Sequence, residues 1–436
     1  MRATVLVSEY LVYVPAAVVF FRRYGRMQGL ATWEGAIALA ALLMQPALIL
    51  IDHAHFQYNA VMLGFVLASL SAVYAQRWSW ACVFFVAALG FKQMALYYAP
   101  AMFAALLAAC VNPQPRPKLF LSIALVTLLS FMLLLAPFVV AALIEGPVAG
   151  DKGDFLEVDL PFQSVVPLLS KLARDTTAWY FPPIQQLGQV IQRIFPFARG
   201  IFEDKVANVW CTLNVIVKLR HYPVALLQRA SLVATLTSIV PPCTLIFAYP
   251  RSDLFLFATA ATALGFFLFG FMVHEKSVLL PLLPMTLILG QRGGLTPAIR
   301  AWVGWANALG VWTMFPLLKR VDLSIPYFVL SLLWAYLLGL PPCSLSAYID
   351  KRQPNDGGLH VATKLLHLSF YLYMILWHFA EAFIEPPKGK PDLWVVLNVA
   401  VGSAGFSICY LWCLWHCLRR AGIIGVGVDL TRSAKT

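Results

Sequence analysis

Leu50-Ile51-Asp52-His53-Ala54-His55-Phe56-Gln57-Tyr58-Asn59 stands between two apolar runs, Glu34 to Ile51 and Ala60 to Ala75. Each run approaches the roughly 20 apolar residues that carry a helix across a bilayer. The polar residues between them therefore belong at a membrane face. An acid, two histidines, a Gln, a Tyr and an Asn are too costly to leave in hydrocarbon unless they pair, line a wet cavity or hold a ligand. The cluster reads either as a polar turn between helices or as a binding cleft for a polar ligand.

The rest of the chain extends this pattern. It is 61% hydrophobic and only 12% charged over 436 residues, about half the charge content of an ordinary soluble domain. Apolar segments recur along the whole length, which no single soluble core can bury. The fold class is all-α, a polytopic transmembrane helical bundle, with no soluble catalytic domain attached. The formal charge of +12 falls mainly in short loops, the pattern that orients membrane helices, and it does not call for nucleic acid as a partner. The eight cysteines show no CxxC pair and no Cys/His spacing, so neither a metal site nor a disulfide framework is expected. Cys409, Cys413 and Cys417 repeat every four residues on one helix face, a packing pattern.

Hydropathy and loop charge give about thirteen spans. The first, Thr4 to Phe21, ends at Arg22, Arg23 and Arg26, has no small-residue cleavage pattern and reads as a retained helix. With those arginines cytosolic, Asp52 to Asn59 lies on the opposite face, and Lys92 joins it after two more crossings. Pro and charge from Asn112 to Lys118 stop the fifth span. The sixth, Leu119 to Ile144, leads to the long polar stretch Glu145 to Asp204, which contains the amphipathic piece Phe162 to Ala173. Domain boundaries are set at 1–144, a membrane module, 145–205, a loop, and 206–436, a second membrane module. Basic residues on both sides of Ala230 to Tyr249, with Pro241-Pro242 inside it, make that run re-entrant or interfacial in this reading. Leu254 to Val273 then returns the chain to His274 on the Asp52 face. Further on, Lys319, Arg320 and the stretch Glu381 to Asp392 share that face.

Three clusters thus converge on one side of the membrane: Asp52 to Asn59, Arg199 with Glu203-Asp204-Lys205, and His274-Glu275-Lys276-Ser277. Cations suited to a phosphate beside acids suited to sugar hydroxyls point to a lipid-phosphate sugar donor, whose tail stays in the bilayer while its reacting carbon meets water. A carboxylate would take the acceptor hydroxyl proton. Taken alone, His274 to Ser277 also reads as an interfacial helix cap. A carrier whose permeation path is lined by the same clusters is the rival class. The chain shows no internal repeat.

At these residues the sequence resembles a family. Asp52 to Asn59, Phe91-Lys92-Gln93-Met94, Arg199 to Cys211 and Val273-His274-Glu275-Lys276-Ser277 look like the dolichyl-phosphate-glucose-dependent glucosyltransferases of the endoplasmic reticulum. The Lys92-Gln93-Met94 and Glu203 to Asn208 strings resemble the first-glucose enzyme more than its sister, which adds the second glucose. The resemblance implies a GT-C architecture in the endoplasmic reticulum membrane with a lumenal site. It implies transfer of glucose from dolichyl phosphate glucose, with inversion and in α-1,3 linkage, to the terminal mannose of a lipid-linked oligosaccharide, and no cofactor. On this footing Arg199, His274 and Lys276 would hold the donor phosphate. His53, His55, Gln57, Tyr58, Asn59, Lys92, Gln93, Glu203, Asp204, Lys205 and Glu275 would line the substrate cleft.

The sequence departs from the family's pattern in three places. The family's first span and its loop with the catalytic aspartate precede the segment that aligns with Met1, so the chain alone is expected not to catalyse transfer. Asp52 is left as the only early acid on that face to serve as base, although its two histidine neighbours suggest a local network. Residues from about Gly146 to Gln186 read as extra sequence, and the C-terminal Thr431 to Thr436 carries no dilysine retrieval signal.

Overall fold

The computed structural model describes residues 2–145, 179–194, 205–349 and 358–424. Every regular element among them is a helix, as the recurrent apolar segments require, because a helix satisfies its backbone polar groups within itself in lipid. In chain order the longer ones are α1 (Ala3–Gln28), α2 (Thr32–Ala54), α3 (Asn59–Tyr74), α4 (Trp78–Phe91), α5 (Gln93–Val111), α6 (Pro117–Glu145), α7 (Phe181–Ile194) and α8 (Val209–Ile216). There follow α9 (Val224–Ala248), α10 (Ser252–Phe269), α11 (Leu279–Leu287), α12 (Pro297–Thr313), α13 (Ser324–Leu338), α14 (Val361–Phe383) and α15 (Leu393–Arg420). Among the described residues, seven of these, α1, α2, α5, α6, α9, α10 and α15, are long and apolar enough to cross a membrane.

The chain forms two compact units, Met1–Ile123 with Gly200–Thr436, and Ala124–Arg199. The second contains most of α6, whose Leu125, Leu128, Met132 and Leu133 are exposed, as lipid-facing side chains would be. The first holds the core. Its centre is α10, whose alanines at 258, 260, 261 and 263 are all fully buried. Small side chains let helix backbones approach closely, and packing rather than water exclusion is what holds helices together in lipid. α10 packs against α9, α11 and α15. Cys409, Cys413 and Cys417 are buried along α15, in keeping with a packing role.

One group of polar side chains inside this core is paired across three helices. Gln45, where α2 breaks ahead of Pro46, donates to Asn307 Oδ1 at 2.6 Å and to Thr286 Oγ1 at 3.3 Å, and Asn307 Nδ2 donates to Thr286 Oγ1 at 3.1 Å. This buried triad ties α2 to α11 and α12. Lys319 forms an ion pair with Glu381, two groups assigned to one face by loop charge.

The structure overturns the re-entrant reading of Ala230 to Tyr249. Val224–Ala248 is one continuous 25-residue helix that carries Pro241 and Pro242 inside it. Proline removes an N–H and so strands the carbonyl four residues back. The carbonyl that Pro242 cannot serve belongs to Ser238, and it accepts a hydrogen bond from the Tyr410 hydroxyl of α15 at 2.8 Å. A partner from a distant helix keeps the segment helical, and local hydropathy does not reveal it.

Candidate functional site

The polar cluster is built where three helices stop or start. α2 ends in a π-helical turn, Leu50–Ala54, which widens the helix by one residue and rotates Asp52 into the interior. α3 begins at Asn59, and an extended Lys92 separates α4 from α5. The loop between α2 and α3 reverses direction with Phe56 at φ 72°, a left-handed conformation that a bulky residue adopts only where its surroundings enforce it.

Asp52 is 0% exposed. Its Oδ2 accepts the Ala60 backbone N–H and its Oδ1 accepts Asn59 Nδ2 at 2.8 Å. The carboxylate therefore closes the N-terminus of α3, where a negative charge is favoured by the helix dipole. Asn59 Oδ1 in turn accepts from Lys92 Nζ at 2.6 Å, and Gln57 Oε1 accepts from the same ammonium at 3.2 Å. A carboxylate only accepts and an ammonium only donates. The Asn59 amide between them has a single orientation that satisfies both, so Asp52 fixes Asn59 and Asn59 fixes Lys92.

Two ammonium groups, Lys92 and Lys276, act on each other in this arrangement. Burial pushes the Lys92 ammonium below its usual range, the Asp52 carboxylate pulls it back up, and repulsion by Lys276 pushes it down again. His55 is likewise lowered below its ordinary 6.5, by burial first and then by Lys276. Lys276 thus acts electrostatically on both groups, which joins the His274 to Ser277 cluster to the Asp52 to Asn59 cluster. Its 3-10 turn, Glu275–Val278, starts at His274, whose side chain does not cap the turn. Beside this turn a groove of 270 Å³ runs past Tyr97, Gln228, Ser231, Phe266 and Val273.

Residues 1–146 and 162–415 match the model of the ALG6, ALG8 glycosyltransferase family. The chain belongs to this family. Among its relatives, "Probable dolichyl pyrophosphate Man9GlcNAc2 alpha-1,3-glucosyltransferase" of Schizosaccharomyces pombe is 38% identical over 419 residues, which cover 96% of this chain and 71% of the relative. The Saccharomyces cerevisiae protein named dolichyl pyrophosphate Man9GlcNAc2 alpha-1,3-glucosyltransferase is 36% identical over 94% of this chain and 71% of its own length. The Mus musculus protein of that name is 30% identical, over 93% and 73% respectively.

Of the residues assigned to the site from the sequence, this ALG6, ALG8 family member brings Asp52, Gln57, Asn59 and Lys92 into one hydrogen-bonded set, with His55 and Lys276 near it. His274 is exposed and Glu275 half-buried at the start of their turn, and Gln93 is exposed at the start of α5. The Tyr58 hydroxyl is hydrogen-bonded to Thr4 Oγ1. His53 turns away from the set and forms an ion pair with Glu9. Lys205 forms an ion pair with Asp392. Arg199, Glu203 and Asp204 lie outside the described residues, as does Phe162 to Ala173.

Glu9 corrects the reading of Asp52 as the only early acid on this face. It is 6% exposed and sits in a second π-helical turn, Glu9–Tyr13. Its signal was available in the sequence: one acid inside an otherwise apolar span is a rare residue that demands a partner. The close approach of this turn to α3 needs Gly64, because a Cβ there would lie 2.9 Å from the Tyr13 Cα. The paired π-helical turns bring Glu9 and His53 together, and such turns often mark functional sites.

Proposed function

We propose, against the expectation that the chain alone is inactive, that it transfers glucose from dolichyl phosphate glucose, in α-1,3 linkage, to the lipid-linked oligosaccharide dolichyl pyrophosphate Man9GlcNAc2, at the lumenal face of the endoplasmic reticulum membrane. The names of its relatives and its membership of the ALG6, ALG8 family support the reaction class and the acceptor. The observation that carries the reading is the Asp52–Asn59–Lys92 chain of hydrogen bonds, set beside His55 and Lys276 at a membrane face.

In the reaction, the acceptor hydroxyl oxygen bonds to the anomeric carbon and gives up its proton to water at the membrane face, the bond from that carbon to the phosphate oxygen breaks, and dolichyl phosphate leaves with the electron pair. Negative charge grows on the phosphate as the bond breaks, and cations oriented in advance stabilise that charge without reorganising. Lys92 uses two of its three N–H donors on Asn59 and Gln57, which leaves one to reach the phosphate. Lys276 and His274 supply the second point of attachment, and the groove past Tyr97 and Phe266 accommodates the start of the isoprenoid tail. Asp52 acts as a positioning residue, since both its oxygens are already engaged by Asn59 and Ala60. His53 and Glu9 brace the wall of the cleft.

The test is a transfer assay with membranes containing the protein, a Man9GlcNAc2 lipid acceptor and glucose labelled in either dolichyl phosphate glucose or UDP-glucose. Label should pass to the acceptor from the lipid donor alone and become resistant to β-glucosidase. Direct transfer from UDP-glucose with dolichyl phosphate glucose synthesis blocked would refute the donor, and a product lacking the α-1,3 bond would refute the linkage.

A further inference from the structure

At the end of α1 and α3 opposite the polar cluster, a groove of 520 Å³ opens between α1, α3 and α4. Most of its wall is apolar, including Leu11, Val19, Phe65 and Phe84, and its mouth is flanked by Arg23 and Arg77. Both arginines are exposed, and neither forms an ion pair among the described residues. Ser71 lies in the wall near the mouth. It is 5% exposed, and its hydroxyl has no hydrogen-bond partner.

We propose that this groove binds one anionic diacyl phospholipid of the leaflet opposite the polar cluster, with the phosphate between Arg23 and Arg77, an ester carbonyl on Ser71 and an acyl chain along Leu11 and Phe65. The proposal does not depend on the glucosyltransferase reading. Length, charge and depth all select this occupant. From Arg23 to Leu11 the helix rises roughly 18 Å, close to the depth of one leaflet in a hydrocarbon core of about 30 Å. Two guanidinium groups at the mouth match a phosphate, which such groups grip through several N–H donors. Ser71 precedes the end of α3 by about one turn, or roughly 5 Å along the axis. At that depth below a lipid phosphate lie the glycerol ester carbonyls, which accept a hydrogen bond from a buried hydroxyl. A polyisoprenyl phosphate carries no such carbonyl.

Native mass spectrometry of the full chain in detergent tests the proposal, with dioleoyl phosphatidylglycerol, its diether analogue and dioleoyl phosphatidylcholine as probes. One phosphatidylglycerol should bind in clear preference to phosphatidylcholine. Loss of each arginine should weaken it about five-fold, and R23Q/R77Q together about 25-fold, whereas R22Q/R26Q, exposed arginines outside the groove, should change it little. S71A should weaken the diester about five-fold and leave the diether unaffected. Equal binding of phosphatidylcholine overturns the proposal, as does equal sensitivity to R22Q/R26Q. Displacement of phosphatidylglycerol by a polyprenyl phosphate, or cross-linking of two copies through Leu11 and Trp80, would assign the groove to a different occupant. If the arginine variants do not fold, equal affinity of the unaltered chain for diester and diether refutes the ester contact.

Discussion

Asp52→Asn separates a positioning role for this carboxylate from a catalytic one. In the native chain Asp52 offers two acceptors to two donors, Asn59 Nδ2 and the Ala60 N–H. An amide at this position offers one acceptor. If its carbonyl serves Ala60, its NH2 meets Asn59, which must flip and direct its own NH2 at the Lys92 ammonium. If its carbonyl serves Asn59, its NH2 meets the Ala60 N–H at the start of α3. In both arrangements a buried donor goes unpaired, at a cost of about 1–3 kcal/mol. Lys92 also loses the negative charge that offsets its burial. Breaking a fully buried charge pair costs about 3–5 kcal/mol, and the partial exposure of Lys92 brings its share well below that. Together these put the effect on a correctly placed Lys92 at about 2–3 kcal/mol, or roughly 30- to 150-fold at 1.4 kcal/mol per decade.

The assay measures donor-lipid binding and glucose transfer in parallel, with thermal unfolding as a control. Binding and transfer should fall by similar factors, and residual transfer should keep the native pH profile. Lys92→Met added to Asp52→Asn should cost little more, because the two substitutions break one chain of bonds and act non-additively. Native binding and transfer in Asp52→Asn would refute this account. Intact binding with transfer lowered about 10²- to 10⁴-fold and the acid limb of the pH profile gone would make Asp52 the general base instead.

Because burial and Lys276 hold His55 below 6.5, donor-phosphate binding should strengthen as the pH falls through that lowered value and His55 gains its proton. Lys276→Gln removes the repulsion, so the same strengthening should begin at higher pH; an unmoved midpoint in a binding titration would show that the two groups are not coupled. Tyr410→Phe deprives the Ser238 carbonyl of its donor and should lower stability by about 1 kcal/mol in reversible denaturation, with a smaller loss when Pro242 is also replaced by Ala. Gly64→Ala places a methyl group against the Tyr13 backbone and should cost about 1–3 kcal/mol, measured as a fall in unfolding midpoint. Gln45→Leu leaves the Asn307 and Thr286 side chains without the amide they share and should destabilise by about 1–3 kcal/mol; an unchanged midpoint would show that the triad contributes nothing to the packing of α2 on α11 and α12.

Fold class and the place of the first cluster were legible in the sequence because both depend on hydropathy along a single stretch of chain. Transfer from water to lipid acts residue by residue, so apolar runs mark helices and an interruption such as Asp52 to Asn59 marks a membrane face without knowledge of any neighbour. That Lys276 acts on Lys92 was not legible in the same way, because the count of crossings that put both on one face took Ala230 to Tyr249 as a segment that does not cross. Other features depended on partners distant in the chain. The Ser238 carbonyl is rescued by Tyr410, and the proline pair that suggested a re-entrant segment sits inside a continuous helix for that reason. Glu9 finds His53 because two π-helical turns bring them together, and Gly64 separately lets the first of these turns approach α3. The role of Asp52 was decided by direction as well as proximity: hydrogen bonds are directional, and only the folded chain sets an acceptor-only carboxylate, an amide and a donor-only ammonium in one line. Hydropathy is additive and local, whereas pairing is specific and long-range, so the sequence by itself determined the membrane fold and the tertiary structure decided which polar groups act together.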